Sequence, residues 1–222
     1  MKLHNFYLVI ILSLLVACAA EKQIDLPGLN PGQQIQGRPN CAAVFPQGKW
    51  QFVHSINFTV KNGTSTTVLG VTSLTEKIIN CALITVEGLT LFEAAYSKEN
   101  GLEIRRAIPP FDNPRFADGL MSDIQTIFLS PTAGDVQEGQ ITGALAVCRH
   151  TDDSGRIIDV LPEVDDCWQI KSYSSDMTLD RSVVGQSCRK KSSTLIPEYL
   201  ELNSYGQTGY TLKMTLIRAD IF

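Results

Sequence analysis

From Trp50 to Val60 the chain alternates with period two. Trp50, Phe52, His54, Ile56, Phe58 and Val60 share one face, and Gln51, Val53, Ser55, Asn57 and Thr59 the other. This is the pattern of a strand with one strongly apolar side. Asn62-Gly63, the favoured pair for a tight hairpin, follows it. "TTVLGVTSL", "KIINCALITV", "LTLFEAAY" and "LEIRRAI" are further β-rich segments separated by short turns, which predicts an antiparallel meander. The period changes in "PPFDNPRFADGLMSDIQTIFLSP", where Phe116, Leu120, Met121, Ile124, Ile127 and Phe128 recur at helical spacing. Asn113 can cap that helix with Pro114 at its first position, and Ser130-Pro131 stops it. Strand periodicity then resumes in "GQITGALAVCRH", "RIIDVL", "CWQIKSYSS", "RSVVGQSCRK", "YLELNSY" and "YTLKMTLIRAD". The expected fold is mainly β: a strongly curved antiparallel sheet or half-barrel of about ten or eleven strands. One long helix covers it, and a short helix falls around Asn40 to Val44. A sheet of that size must curl or close, and a helix set midway through the meander is well placed to cover the concave face or plug one mouth.

The longest apolar run lies in front of this pattern. "FYLVIILSLLVA", Phe6 to Ala17, is shorter than the ~20 residues a membrane span needs, and it has the length of a secretory h-region. Leu15, Val16, Ala17 and Cys18 resemble the bacterial lipobox, in which the cysteine is acylated and becomes the first residue of the mature chain. The bland alternative is an ordinary secretory signal cut within "ACAA". The lipobox reading divides the chain into a signal peptide over 1–17, a lipidated N-terminus and flexible tether over 18–40, and a single β domain over 41–222. The tether reading rests on the polar, Pro- and Gly-rich "EKQIDLPGLNPGQQIQGRPN". Acyl chains on Cys18 anchor a protein to a membrane without spanning it. By the sorting rule of enteric lipoproteins, Ala19 after the cysteine implies the outer membrane, facing the periplasm.

Composition and charge remove several function classes. The net charge of −4 and the absence of a basic patch with interleaved aromatics give no sign of nucleic-acid binding. Besides Cys18 there are Cys41, Cys81, Cys148, Cys167 and Cys188. Export puts them in an oxidising compartment, and an odd number leaves at least one unpaired. Two disulfides and one spare thiol is the preferred reading. Spacing alone does not settle connectivity; the working expectation is Cys41 with Cys81, and Cys148 with Cys167 or Cys188. No CxxC, GxSxG, HExxH or P-loop occurs, so neither a metal site nor a catalytic centre is expected, nor any cofactor. "EVDDCW" lacks the ligand spacing of a calcium loop and reads as a solvated turn. His150, beside "TDDSG", reads as solvated. Arg105, Arg106, Arg115, Asp112 and Asp118 gather near the helix start, either as ion pairs or as an anchor for a headgroup or carboxylate. His54 is either a satisfied core histidine or a polar anchor in a ligand hollow.

In order, the segments resemble the lipoprotein-localisation carriers, LolA-like and LolB-like: signal and tether, meander, central helix, then "DDSGRIIDVL", "WQIKSYS", "LDRSVVG" and "IPEYLELNSYGQTGYTLKMTLI". Trp168, Tyr173, Arg181 and Ile196-Pro197 carry the likeness most strongly. The resemblance implies an incomplete antiparallel barrel covered by helices, whose hollow accepts acyl chains. Being lipidated, the chain is more similar to the outer-membrane receptor than to the soluble carrier. That receptor presents an apolar residue on a hairpin loop; here Val86 and Leu89 in "TVEGLT" are the nearest candidates, and the several cysteines depart from the family pattern. Candidate ligand-lining residues are Phe52, His54, Phe58, Phe92, Phe116, Leu120, Ile124, Phe128 and Trp168. The expected function is a membrane-anchored, non-enzymatic lipoprotein that binds an acyl chain or other apolar ligand in lipoprotein or lipid handling. The alternative is a structural or assembly lipoprotein that binds another envelope protein without a ligand.

Overall fold

A computed structural model describes residues 25–30, 40–61, 63–109, 111–131, 134–143, 145–165, 167–205 and 209–222. Cys18 and the apolar run before it lie outside the described residues. Most of the chain is one 12-stranded antiparallel sheet. After a short 3-10 helix, Cys41–Val44, come β1 Trp50–Val60, β2 Ser65–Leu74, β3 Ile78–Ile84, β4 Thr90–Ser97 and β5 Gly101–Ala107. Helix α1, Pro114–Phe128, leads to β6 Asp135–Ile141, β7 Leu145–Thr151, β8 Ile157–Val164, β9 Cys167–Tyr173, β10 Leu179–Lys191, β11 Thr194–Ser204 and β12 Tyr210–Ile221.

The strands lie side by side in the order β5-β4-β3-β2-β1-β12-β11-β10-β9-β8-β7-β6. Two meanders are therefore joined where the last strand pairs with the first, Phe58 opposite Leu212 and Trp50 opposite Ile221. The outer edges, β5 and β6, do not pair, and α1 is the segment connecting them. The helix thus crosses the concave face of an unclosed sheet.

Local chemistry accounts for the helix limits. The Asn113 side chain accepts a hydrogen bond from the Arg115 backbone N–H at 3.0 Å with Pro114 at the first position. Leu129 leaves the helix in an extended conformation. Ala117, Met121, Ile124, Ile127 and Phe128 are buried against the sheet. On β1 the even-numbered residues Trp50, Phe52, His54 and Ile56 are buried on the same side.

The twelfth strand comes from "GQITGALAVCRH", which splits at a turn where Gly143 has φ +88°. β6 does not stand out in the pattern because its first four residues are exposed and three of them, Asp135, Gln137 and Glu138, are polar, as befits an edge. Pro197 sits inside β11, opposite Cys188 of β10, but pairing of β11 with β12 begins only at Tyr199. No ladder bond toward β12 is lost at the proline.

Cysteine pairing differs from expectation. Cys41 bonds to Cys148 (Cα–Cα 6.3 Å) and Cys167 to Cys188 (5.1 Å), leaving Cys81 free and buried. The cause is the strand order. The 3-10 helix leans on β8 and β11, which carries Cys41 toward β7, while Cys81 on β3 belongs to the other meander. Cys167 and Cys188 lie on neighbouring strands, and Ser187, next to Cys188, has φ +54°. Burial pushes the Cys81 thiol up to about 12, so it is held as the unreactive thiol.

Within the stretch expected to be a flexible tether, residues 25–30 are docked on the domain. Leu26 donates its N–H to the Met177 carbonyl at 3.0 Å, and Asn30 exchanges hydrogen bonds with Gln140 at 2.9 and 3.3 Å. Leu29 packs on a second apolar cluster, Ile141, Val147 and Leu161, which lies on the convex face because Cys148 and Val160 between them point to the main core. Beside it, Arg149 forms a bidentate pair with Asp159 at 2.7 Å and donates to the Pro27 carbonyl at 3.0 Å. A Cβ on Gly139 would meet Leu29 Cδ1 at 2.7 Å and the Asn30 carbonyl oxygen at 3.0 Å, so a side chain there would press on the strap.

Candidate functional site

The site suggested by the alternating pattern is the space between the concave face and α1, and most of it is filled. An aromatic row runs along it: Trp50 stacks on Phe52 at 5.4 Å, Phe52 meets Phe128 at 5.0 Å, and at the other end Phe58 contacts Phe116 at 6.3 Å and Tyr210 at 5.4 Å. One cavity there, of about 20 Å³, is bounded by Val44, Pro46, Phe52, His54, Ile127, Phe128, Trp168, Leu195, Ile196, Pro197 and Leu200. That is room for roughly one water-sized sphere, against the ~300 Å³ or more of a typical ligand pocket.

Of the nine residues expected to line a hollow, Phe52, His54, Phe128 and Trp168 meet at this cavity. Phe58 and Phe116 face each other farther along the helix, Phe92 is wholly buried, and Ile124 and Leu120 pack on the main core from α1. The sequence reading missed the far wall, Val44, Pro46 and Leu195 to Pro197. In the sequence, Ile196-Pro197 stands out only through the family likeness.

It also missed the polar tie of the helix. Asp123, 1% exposed, sits among Leu120, Ile124 and Ile127 on the apolar stripe. One oxygen accepts from Arg181 Nε at 2.7 Å, and the other accepts a short hydrogen bond from the Tyr210 hydroxyl. Arg181 also pairs with Asp180. Burial raises the Asp123 carboxyl, while Arg181 and Tyr210 oppose that rise. The signal was present in the sequence: a carboxylate on a helix face that is otherwise apolar needs a buried partner.

His54 is 3% exposed, between Phe52 and Phe128 at ring distances of 6.1 and 6.2 Å. Burial pushes its imidazole down to about 4, so the ring is neutral at ordinary pH. In an unfolded chain it titrates near 6.5. Between those values the unfolded state binds more protons, so stability is full above about pH 6.5 and is lost as pH falls toward 4. Wild type should lose about 3 kcal/mol more than His54→Phe between pH 7 and 4. Urea unfolding of both proteins across that range measures it, and equal losses would show that His54 does not titrate this way. His150 is half-buried instead of solvated, with burial lowering its imidazole too; the difference between the two proteins cancels its effect.

The ion cluster expected at the helix start does not assemble. Arg105 approaches Glu93 and Glu103 at 3.9 Å on the surface, and Asp112 and Asp118 join no ion pair among the described residues. No group of three or more potential metal ligands occurs among the described residues, and no described helix is long and apolar enough to cross a membrane.

Neither a protein-family model nor a curated protein matches the sequence. Solved structures do. A LolA superfamily protein from Nitrosomonas europaea superposes with a TM-score of 0.53 at 9% identity, over 82% of this chain and 90% of that one. The fold is LolA-like. At that identity the likeness is one of fold, with the unclosed curved sheet and the helix on its concave side as the shared frame. Two looser matches are a domain assigned to outer membrane lipoprotein sorting from Vibrio parahaemolyticus (TM-score 0.48, 8% identity, 81% of this chain and 87% of that one) and a DUF1329 family protein from Desulfovibrio piger (0.46, 9%, 82% and 88%).

Proposed function

We propose that this protein is a lipoprotein, acylated at Cys18 and held at the periplasmic face of the outer membrane, that takes an acyl chain or other apolar ligand between sheet and helix during lipoprotein or lipid handling. One observation carries the reading. The concave face of this LolA-like sheet is completed by a separate helix, tied through a buried carboxylate, whose apolar stripe packs among the sheet's own side chains. Phe116, Met121, Ile124, Ile127 and Phe128 occupy the volume an acyl chain would use, and a chain can replace them if α1 withdraws. The reading asks for no catalytic group and no cofactor.

The docked strap adds an orientation. Asp25 bridges to Thr178 at the β9–β10 turn, the end of the sheet that also carries the β3–β4 turn with Val86 68% and Leu89 54% exposed. Seven residues from Cys18 to Asp25 reach at most ~25 Å. An acyl anchor on Cys18 would therefore hold this rim toward the bilayer.

The test is mass spectrometry of the Cys18→Ala protein, exported and purified without detergent, with fluorescent fatty-acyl probes added in parallel. Co-purifying lipid and saturable probe binding are expected. Recovery of no lipid with no probe binding would end the reading. The small residual cavity favours a second one, an assembly lipoprotein that docks an envelope protein along the unpaired edge of β5. In-cell crosslinking from β5 would then give one dominant protein partner.

A further inference from the structure

His54 is an unpaired polar group in an apolar wall. The only other lining side chain with a nitrogen or oxygen is Trp168, whose indole N–H is taken by the Leu195 carbonyl at 3.1 Å. Neither nitrogen of His54 bonds to any described residue. No sealed side-chain nitrogen or oxygen is left without a partner among the described residues, so both nitrogens border the open space of the cavity. A 3% exposed imidazole can reach a hydrogen-bond partner only through this small opening, and buried polar groups are as a rule paired. Its neighbours on the same strand face, Phe52 and Ile56, show what packing alone would select.

The surroundings define what the imidazole can receive. There is no cation in the wall, and Arg181 is committed to Asp123 and Asp180. A free carboxylate brought here would stay unpaired, whereas an uncharged carbonyl needs one donor. The ring also lies under the last turn of α1, next to Phe128. Among the described residues that turn makes no side-chain hydrogen bond or ion pair to the sheet, and the polar tie at Asp123 is a full turn earlier. A chain can replace Ile127 and Phe128 without breaking the ion pair.

We propose that His54 is the polar anchor of the hollow, donating a ring N–H to the carbonyl oxygen of an ester-linked acyl chain that displaces the last turn of α1. This rests on the acyl-ligand reading above and adds a ligand class to it: esterified chains, as carried by lipoproteins and phospholipids, and not free fatty acids. A neutral imidazole suits an uncharged acceptor. Burial keeps it in that form.

The experiment titrates the exported Cys18→Ala protein with monopalmitoylglycerol and with palmitate, following tryptophan fluorescence, because Trp168 lines the cavity. The same is done in the His54→Phe and His54→Gln backgrounds. Wild type should bind the ester about tenfold more tightly than palmitate, and His54→Phe should lose that preference while His54→Gln keeps most of it. A dipalmitoylglyceryl-cysteine peptide and dipalmitoyl phosphatidylethanolamine serve as further arms; binding of either supports the shared ester chemistry, and the tighter one names the source. Equal ester binding by wild type and His54→Phe overturns the anchor and leaves the acyl-ligand reading standing. Tighter binding of palmitate overturns the ligand class. If no probe binds wild type, the functional reading falls with the anchor.

Discussion

Asp123→Ala should destabilise the domain by about 3 kcal/mol or more and, on the proposed reading, make it bind acyl probes more tightly. The first half follows from burial. Asp123 is 1% exposed and receives hydrogen bonds from Arg181 and Tyr210, so its removal strands a guanidinium that is 18% exposed and the hydroxyl of a half-buried tyrosine. Arg181 keeps Asp180, which puts the loss at the lower end of the ~3–5 kcal/mol seen when one partner of a buried pair is deleted. The second half follows from linkage. If α1 and ligand compete for one concave face, weakening the closed state raises the population of the open one, and apparent affinity rises in proportion. A helix that is only core predicts the opposite, since loosening it would cost both stability and any binding. Urea unfolding and probe titration on the same variant therefore separate the two, and a fall in both quantities would remove the competing-helix picture.

The alternation on β1 and the stripe on α1 made the sheet, the helix and much of the apolar face legible in the sequence. Each is a local pattern with a fixed period, and the Asn113 and Pro114 cap is local too. What could not be read is long-range. That β12 closes on β1 depends on how two meanders curl, and only this brings Cys41, which precedes the first strand, beside Cys148 on the seventh. β6 escaped notice because an exposed edge strand needs no apolar alternation. Leu195, Ile196 and Pro197 carry ordinary apolar character, and nothing local says that they face His54 across a gap. Asp123 was the exception, a long-range partnership with a local sign, because a carboxylate on a buried helix face must find a cation or donor somewhere in the fold. The docked strap also has a local sign: Leu26 and Leu29 lie three apart in a stretch with few other apolar side chains.

Removing the Cys41–Cys148 bond by the double substitution Cys41→Ser and Cys148→Ser should cost ~5 kcal/mol, and removing Cys167–Cys188 ~3 kcal/mol. The ranking comes from the unfolded chain: the first bond joins residues 107 apart and the second residues 21 apart, and the longer loop loses more freedom when closed. The two bonds also differ in what they hold. Cys41 fixes the 3-10 helix whose Val44, with Pro46 beyond it, forms one side of the cavity. Cys167–Cys188 ties neighbouring strands that their own ladder already pairs. Loss of the long bond should therefore widen the cavity mouth. Urea unfolding of oxidised, exported protein reads the first effect, and exchange of the Trp168 indole N–H, bonded to Leu195 beside that mouth, reads the second. Equal costs for the two double variants would mean that the long loop retains structure when unfolded, and unchanged indole exchange would mean that the 3-10 segment is held by packing on β8 and β11 without its disulfide.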